Sequence, residues 1–144
     1  MQVIRCSSDA AGINELVQLG EGLGELLFLA PKAVRTEKEL EAAFAMARSA
    51  FDEGRNLSPK VQNEAMLFLA QETNFSSAAR KIGAASPDDF ILVSEAKIPI
   101  AKLKAKLRLT RAQSLKLSEW GGKKGGYLEG ELAIEKMALA RIKN

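Results

Sequence analysis

The sequence predicts an α+β fold in a single domain, mostly helical, with a central buried helical hairpin and a small β-sheet. Three stretches carry that expectation. Asn56 to Gly83 reads as two helices around a tight corner, Thr36 to Gly54 as an amphipathic helix, and Phe90-Ile91-Leu92-Val93 as a strand buried on both faces. With 144 residues, 47% of them hydrophobic, the chain can enclose one real core, and one domain spanning 1–144 is the expectation.

In chain order, Val3-Ile4-Arg5-Cys6 is short and partly β-branched and predicts a first strand. Ala11 to Leu19 predicts a short helix with Ile13, Leu16 and Val17 on one face, and Gly20, Gly22 and Gly24 read as turn residues. Leu26-Leu27-Phe28-Leu29-Ala30 predicts a buried strand stopped by Pro31. Thr36-Glu37-Lys38-Glu39 is a capping box, in which the Thr36 hydroxyl accepts from the Glu39 N–H while the Glu39 carboxylate reaches back. The helix it opens carries Leu40, Ala43, Phe44, Ala47, Ala50 and Phe51 as a core stripe and stops near Gly54.

For the hairpin, Ser58 is the expected N-cap and Pro59 the first helical residue, followed by the continuously apolar Ala65 to Ala70. Asn74 is the expected cap of the second helix, and Gly83 its left-handed end. Ser86-Pro87-Asp88-Asp89 then turns the chain into the Phe90 strand. Lys102 to Leu109 alternates like a strand, yet Ile100, Leu103 and Leu107 also form a helical stripe. Helix is favoured, because Pro99 suits its first turn and Lys and Ala are poor strand formers. Thr110-Arg111-Ala112-Gln113 reads as a second capping box opening a short helix, Trp120 to Tyr127 as a flexible glycine-rich loop, and Gly130 to Ile142 as a closing helix.

The net charge is +3, unevenly spread. Ala96 to Leu117 holds seven basic residues and no acid, leaving 14 basic against 18 acidic residues elsewhere, a balance of −4. Such a segment is either a solvated helix face or a surface for a polyanion or an acidic protein face. There is no histidine, so the commonest general base and metal ligand is missing, and one cysteine builds neither a disulfide nor a thiolate metal site. No phosphate loop, dinucleotide fingerprint or nucleophile elbow occurs. Ordinary hydrolase and zinc chemistry are therefore not expected, and neither is a cofactor or metal. With no signal-peptide pattern and no apolar run of membrane-crossing length, a cytoplasmic location away from membranes is expected.

Glu64-Ala65-Met66-Leu67-Phe68-Leu69-Ala70, Asn74-Phe75-Ser76-Ser77-Ala78-Ala79-Arg80-Lys81-Ile82-Gly83 and Asp89-Phe90-Ile91-Leu92-Val93 together resemble one family. It is the small kinase-binding subunit of the KEOPS/EKC complex, the PRPK-binding protein family of animals. Leu26-Leu27-Phe28 and Ile134-Glu135-Lys136-Met137-Ala138-Leu139 also look like that family, so the similarity runs from about Leu26 onward. Where many members carry Gly-x-Arg-Gln before the second helix, this chain has Gln71-Glu72-Thr73-Asn74.

The resemblance implies a non-catalytic, regulatory subunit in threonylcarbamoyladenosine biosynthesis on tRNA. It would bind and stimulate the atypical small protein kinase subunit, sit in the larger assembly with the threonylcarbamoyl transferase subunit, and help hold tRNA by its 3′ CCA tail. A single-stranded tail needs cations for its phosphates and a face on which bases stack. Lys60, Phe75, Arg80 and Lys81 are the RNA candidates on the hairpin, and Lys102, Lys104, Lys106 and Lys123 extend the path. The plainer reading of Phe75, and the favoured one, is a core residue packing the corner. Met137, Leu139 and Ile142 of the last helix are the kinase-binding candidates, because they exceed the apolar residues one packed stripe requires. The alternative is a helix-turn-helix-like nucleic-acid-binding protein, on the small residues and glycine of Phe75 to Pro87, and it requires a recognition helix after that turn.

Overall fold

A computed structural model of the protein describes residues 1–143, apart from the side chains at positions 124 and 143. The elements are β1 (Gln2–Ser8), α1 (Ile13–Leu19), β2 (Leu26–Leu29), α2 (Glu37–Asp52), α3 (Val61–Ala70), α4 (Phe75–Ile82), β3 (Phe90–Ser94), α5 (Ile100–Leu107), β4 (Leu109–Ser114), β5 (Lys123–Lys124), β6 (Tyr127–Leu128) and α6 (Glu129–Lys143). A single 3-10 turn follows β2 at Pro31–Ala33. Six helices and a four-stranded antiparallel sheet make the fold α+β. The chain divides into two compact units, Met1–Val34 with Ile82–Lys116, and Arg35–Lys81 with Leu117 onward.

The first unit is built on the sheet, in the order β2-β3-β1-β4. Strand β3 is central and buried at all five residues, as its uninterrupted apolar run requires. Alternation sends Ile4, Cys6, Phe90, Leu92 and Leu26 to one face, where they form a core with Leu16 of α1 and Leu103 and Leu107 of α5. Phe28 and Phe90 meet there at 5.9 Å between ring centroids. Gly83 departs from expectation. It is not left-handed but bridges to Leu29, flanked by Ala30 N–H donating to the Ile82 carbonyl at 2.9 Å and Ala84 N–H to that of Phe28 at 3.0 Å. The chain leaving α4 is thereby used to pair the edge of β2.

Helix α5 forms as its stripe predicts, with Pro99 as N-cap, and ends at Arg108 in the left-handed conformation, φ 56°. That reversal sends Leu109–Ser114 back along β1, so the second capping box is overturned and Thr110 to Gln113 are strand. Backbone pairing with β1, invisible to a local reading, decides the outcome. Arg108 is held by Asp9 and Glu15, each at 2.7 Å, and Ser8 Oγ donates to the Leu107 carbonyl at 2.7 Å.

In the second unit α3 packs chiefly against α2, with α6 beside both. Thr36 Oγ1 accepts from the Glu39 N–H at 3.2 Å, but the return half of the box is absent, because the Glu39 carboxylate turns to Arg35, also at 3.2 Å. Carbonyls of Ser118 and Glu119 take the N–H groups of Glu37 and Lys38 at 2.9 and 3.0 Å instead. Helix α3 starts two residues later than predicted, with Lys60 rather than Ser58 as N-cap. The Ser58 and Leu57 N–H groups both donate to Glu64 Oε1 at 2.9 Å, which holds this segment as a loop ahead of the helix.

The glycine-rich segment forms a hairpin rather than an irregular loop. Gly125 and Gly126, at φ 57° and 86°, close a two-residue hairpin between β5 and β6 that only glycine, Asn or Asp adopts readily. It is tied to the start of α6 by Glu129 N–H to the Gly122 carbonyl at 2.8 Å and Gly130 N–H to that of Trp120 at 2.7 Å. A Cβ on Gly130 would sit 3.1 Å from the Trp120 ring, so a side chain there asks Trp120 to shift by a few tenths of an ångström. No helix of the described residues is long and apolar enough to cross a membrane.

Candidate functional site

The corner between α3 and α4 is built from two backbone devices. Gln71 ends α3 in the left-handed conformation, φ 58°, and Asn74 Oδ1 accepts from the Ser77 N–H at 3.1 Å to start α4, as predicted. Ala78 is fully buried and Ile82 nearly so, and these two set which face of α4 turns inward. Phe75, the first residue of α4, is 45% exposed and so does not pack the corner as core. Arg80 is exposed. Lys81 is exposed along its stem, but its Nζ donates to the Ala70 carbonyl at 2.7 Å and closes the end of α3. Lys60 is exposed at the start of α3.

These four residues belong to the second unit, whereas Lys102, Lys104 and Lys106 belong to the first. All three lysines are exposed on α5 while Leu103 and Leu107 are fully buried, so the basic residues flank the core stripe as a helix period requires. Lys123 is exposed on the β5–β6 hairpin. The sequence reading missed Tyr127, 58% exposed and paired across that hairpin with Lys124. Its signal was the Gly-Gly turn beside it.

Helix α6 divides the kinase-binding candidates. Gly130, Ala133, Met137 and Arg141 recur at three and four residues and form the inward face. Met137 is 1% exposed, so it is core and is withdrawn from the partner surface. Leu139 and Ile142 lie outside that face, 41% and 80% exposed. Arg141 explains how the polar end of the inward face is accommodated. Its guanidinium stacks on the Phe68 ring at 4.0 Å, and Nη1 donates to Glu64 Oε2 at 2.8 Å. Glu64, fully buried, thus collects the amides of Leu57 and Ser58 on one oxygen and Arg141 on the other. One carboxylate fixes the backbone at Leu57, a residue 53% exposed, and the side chain preceding Ile142 in sequence.

Among the described residues no group of three or more Cys, Asp or Glu side chains is arranged to hold a metal ion. Cys6 is fully buried, and burial pushes its thiol up to about 12, far from a reactive thiolate. Arg5 and Asp89 form a two-bond pair at 2.9 and 2.7 Å, and Arg5 holds that carboxyl below its usual range. Comparison of the chain with models of protein families and with curated proteins gives no match in either case.

Proposed function

We propose that the protein is a non-catalytic, cytoplasmic subunit of a KEOPS-type tRNA threonylcarbamoyladenosine complex, one that binds and stimulates the small atypical kinase and helps recruit tRNA by its 3′ CCA tail. The observation that carries the reading is the resemblance from Glu64 to Val93, whose residues fold as helix, capped corner, helix and strand in the order the resemblance implies. Two physical features support it. An exposed phenylalanine at the start of α4, with exposed Arg80 on the same helix and Lys60 before α3, offers the base-stacking face and phosphate-pairing cations a single-stranded tail needs. Leu139 and Ile142 offer a partner protein an apolar face on a helix whose inward side already packs Met137 in the core and pairs Arg141 with Glu64. The helix-turn-helix alternative asks for a recognition helix after the turn at 83–87, where the chain runs into β3.

The test is titration of the purified protein into a KEOPS small kinase subunit, reading complex formation and ATP hydrolysis. The expected result is a one-to-one complex with stimulated hydrolysis, weakened at least about tenfold by Ile142→Asp, since one interface hot spot is worth about 2 kcal/mol. Absence of a complex with the unsubstituted protein would contradict the kinase half of the reading.

A further inference from the structure

Strand β4 is an edge of the four-stranded sheet, paired only with β1. Register determines which of its backbone groups are spent. Leu115 N–H donates to the Val3 carbonyl at 2.9 Å, and the register runs on through Arg5 opposite Gln113 and Ser7 opposite Arg111. In an antiparallel ladder bonded pairs alternate with unbonded ones, so Gln113 and Arg111 also point their N–H and C=O groups at β1. Ala112 and Ser114 therefore point theirs away from the sheet. Among the described residues those outward groups meet no backbone partner. The strand has no proline, and its bulge is the extra residue Thr110, which leaves the run from Arg111 to Ser114 in regular register with β1. Thr110, Arg111, Gln113 and Ser114 are all exposed.

Charge selects the occupant. From Leu109 to Lys116 the chain carries Arg111 and Lys116 and no acid. Arg111 reaches Asp89 only at 3.4 Å, and Arg5 already engages both oxygens of that carboxylate, so the trio keeps one positive charge in excess. Asp9 and Glu15 are engaged by Arg108. Exposed Lys102, Lys104 and Lys106 on α5, which leads directly into the strand, add to the same sign. A second copy of the chain would bring two such edges together with no acid to answer them. A nucleic-acid backbone offers phosphate acceptors and, in RNA, 2′-hydroxyls, but not the donors and acceptors alternating at strand spacing that the N–H and C=O groups of Ala112 and Ser114 call for. An extended peptide supplies both donors and acceptors at strand spacing.

We infer that the open edge of β4 docks an extended acidic segment of a partner protein, which adds to the sheet as a fifth strand through Ala112 and Ser114. Carboxylates on one face of that segment answer Arg111, and its backbone supplies register. The inference needs no part of the tRNA or kinase readings.

The experiment uses the whole protein with two blocked hexapeptides, one alternating valine and glutamate, the other valine and lysine, followed by backbone NMR with amide hydrogen exchange. The expected result is binding of the glutamate peptide, exchange at Ala112 and Ser114 slowed at least about tenfold, and no binding of the lysine peptide. Ala112→Pro, which removes an outward N–H at an edge position where proline is tolerated, abolishes the effect. If that variant does not fold, a glutamate peptide N-methylated at alternate residues provides the same test, because it lacks the donors and must fail to bind. Equal binding of both peptides, protection elsewhere in the chain, or protection of these two amides by self-association without peptide would each overturn the proposal.

Discussion

Glu64 is the residue on which the second unit depends most. It is fully buried, and every bond it makes is to a group that would otherwise be stranded: two loop amides and the Arg141 guanidinium. Glu64→Ala leaves a cation and two N–H groups uncompensated, and a loss of about 3 to 5 kcal/mol is expected in urea unfolding. Arg141→Met costs less than the sum of the two when combined with it, because both act on one interaction. Cys6 sets a pH dependence in the first unit. Its thiol is raised from 9.0 to about 12 in the folded chain, so below about pH 9 it is protonated whether folded or not and contributes no slope. Above that, the unfolded chain releases a proton the folded chain keeps, so stability falls as pH rises toward 12. Urea midpoints across this range are expected to decline less steeply in Cys6→Ala than in the unsubstituted protein. The sequence disclosed neither role. A lone cysteine and an ordinary glutamate acquire them from burial and long-range partners.

At the scale of elements, most of the fold was legible because it follows periodicity. The apolar stripe of α2, the uninterrupted run of β3 and the i, i+3, i+4 pattern of α5 and α6 each specify a face before any neighbour is known. What was not legible was decided by pairing or by a single backbone conformation. The Thr110 capping pattern lost to β1, and two glycines made a hairpin of a presumed loop. The candidate site followed the same division. The α5 lysines were readable from their period, whereas the exposure of Phe75 and the burial of Met137 depend on how α4 and α6 are rotated in the unit. Arg108 gives the sharpest element-scale test. It joins α5 to β4 in the left-handed region while pairing Asp9 and Glu15, so Arg108→Ala loses the pairs and keeps the strain, and Arg108→Gly loses the pairs alone. The glycine variant is expected to unfold at higher denaturant, more stable than the alanine one by about 1 kcal/mol. The reverse order would mean that the corner is not left-handed in solution.

At the scale of the whole molecule, the proposed function is that of a protein that holds others. The chain has no histidine, and its single thiol is buried and protonated. Among the described residues its exposed features include both cations and carboxylates, Phe75, Tyr127, Leu139 and Ile142, and a strand edge. Features of that kind bind and orient partners, consistent with a subunit that positions tRNA for chemistry done elsewhere. The central claim is tested most directly by the affinity of the purified protein for mature tRNA and for the same tRNA lacking its 3′ single-stranded tail, each at two salt concentrations. The account predicts binding that requires the tail, weakens with salt, and falls at least about fivefold for Phe75→Ala, the loss of one stacked base. Equal affinity for both RNAs, or no dependence on Phe75, would contradict it.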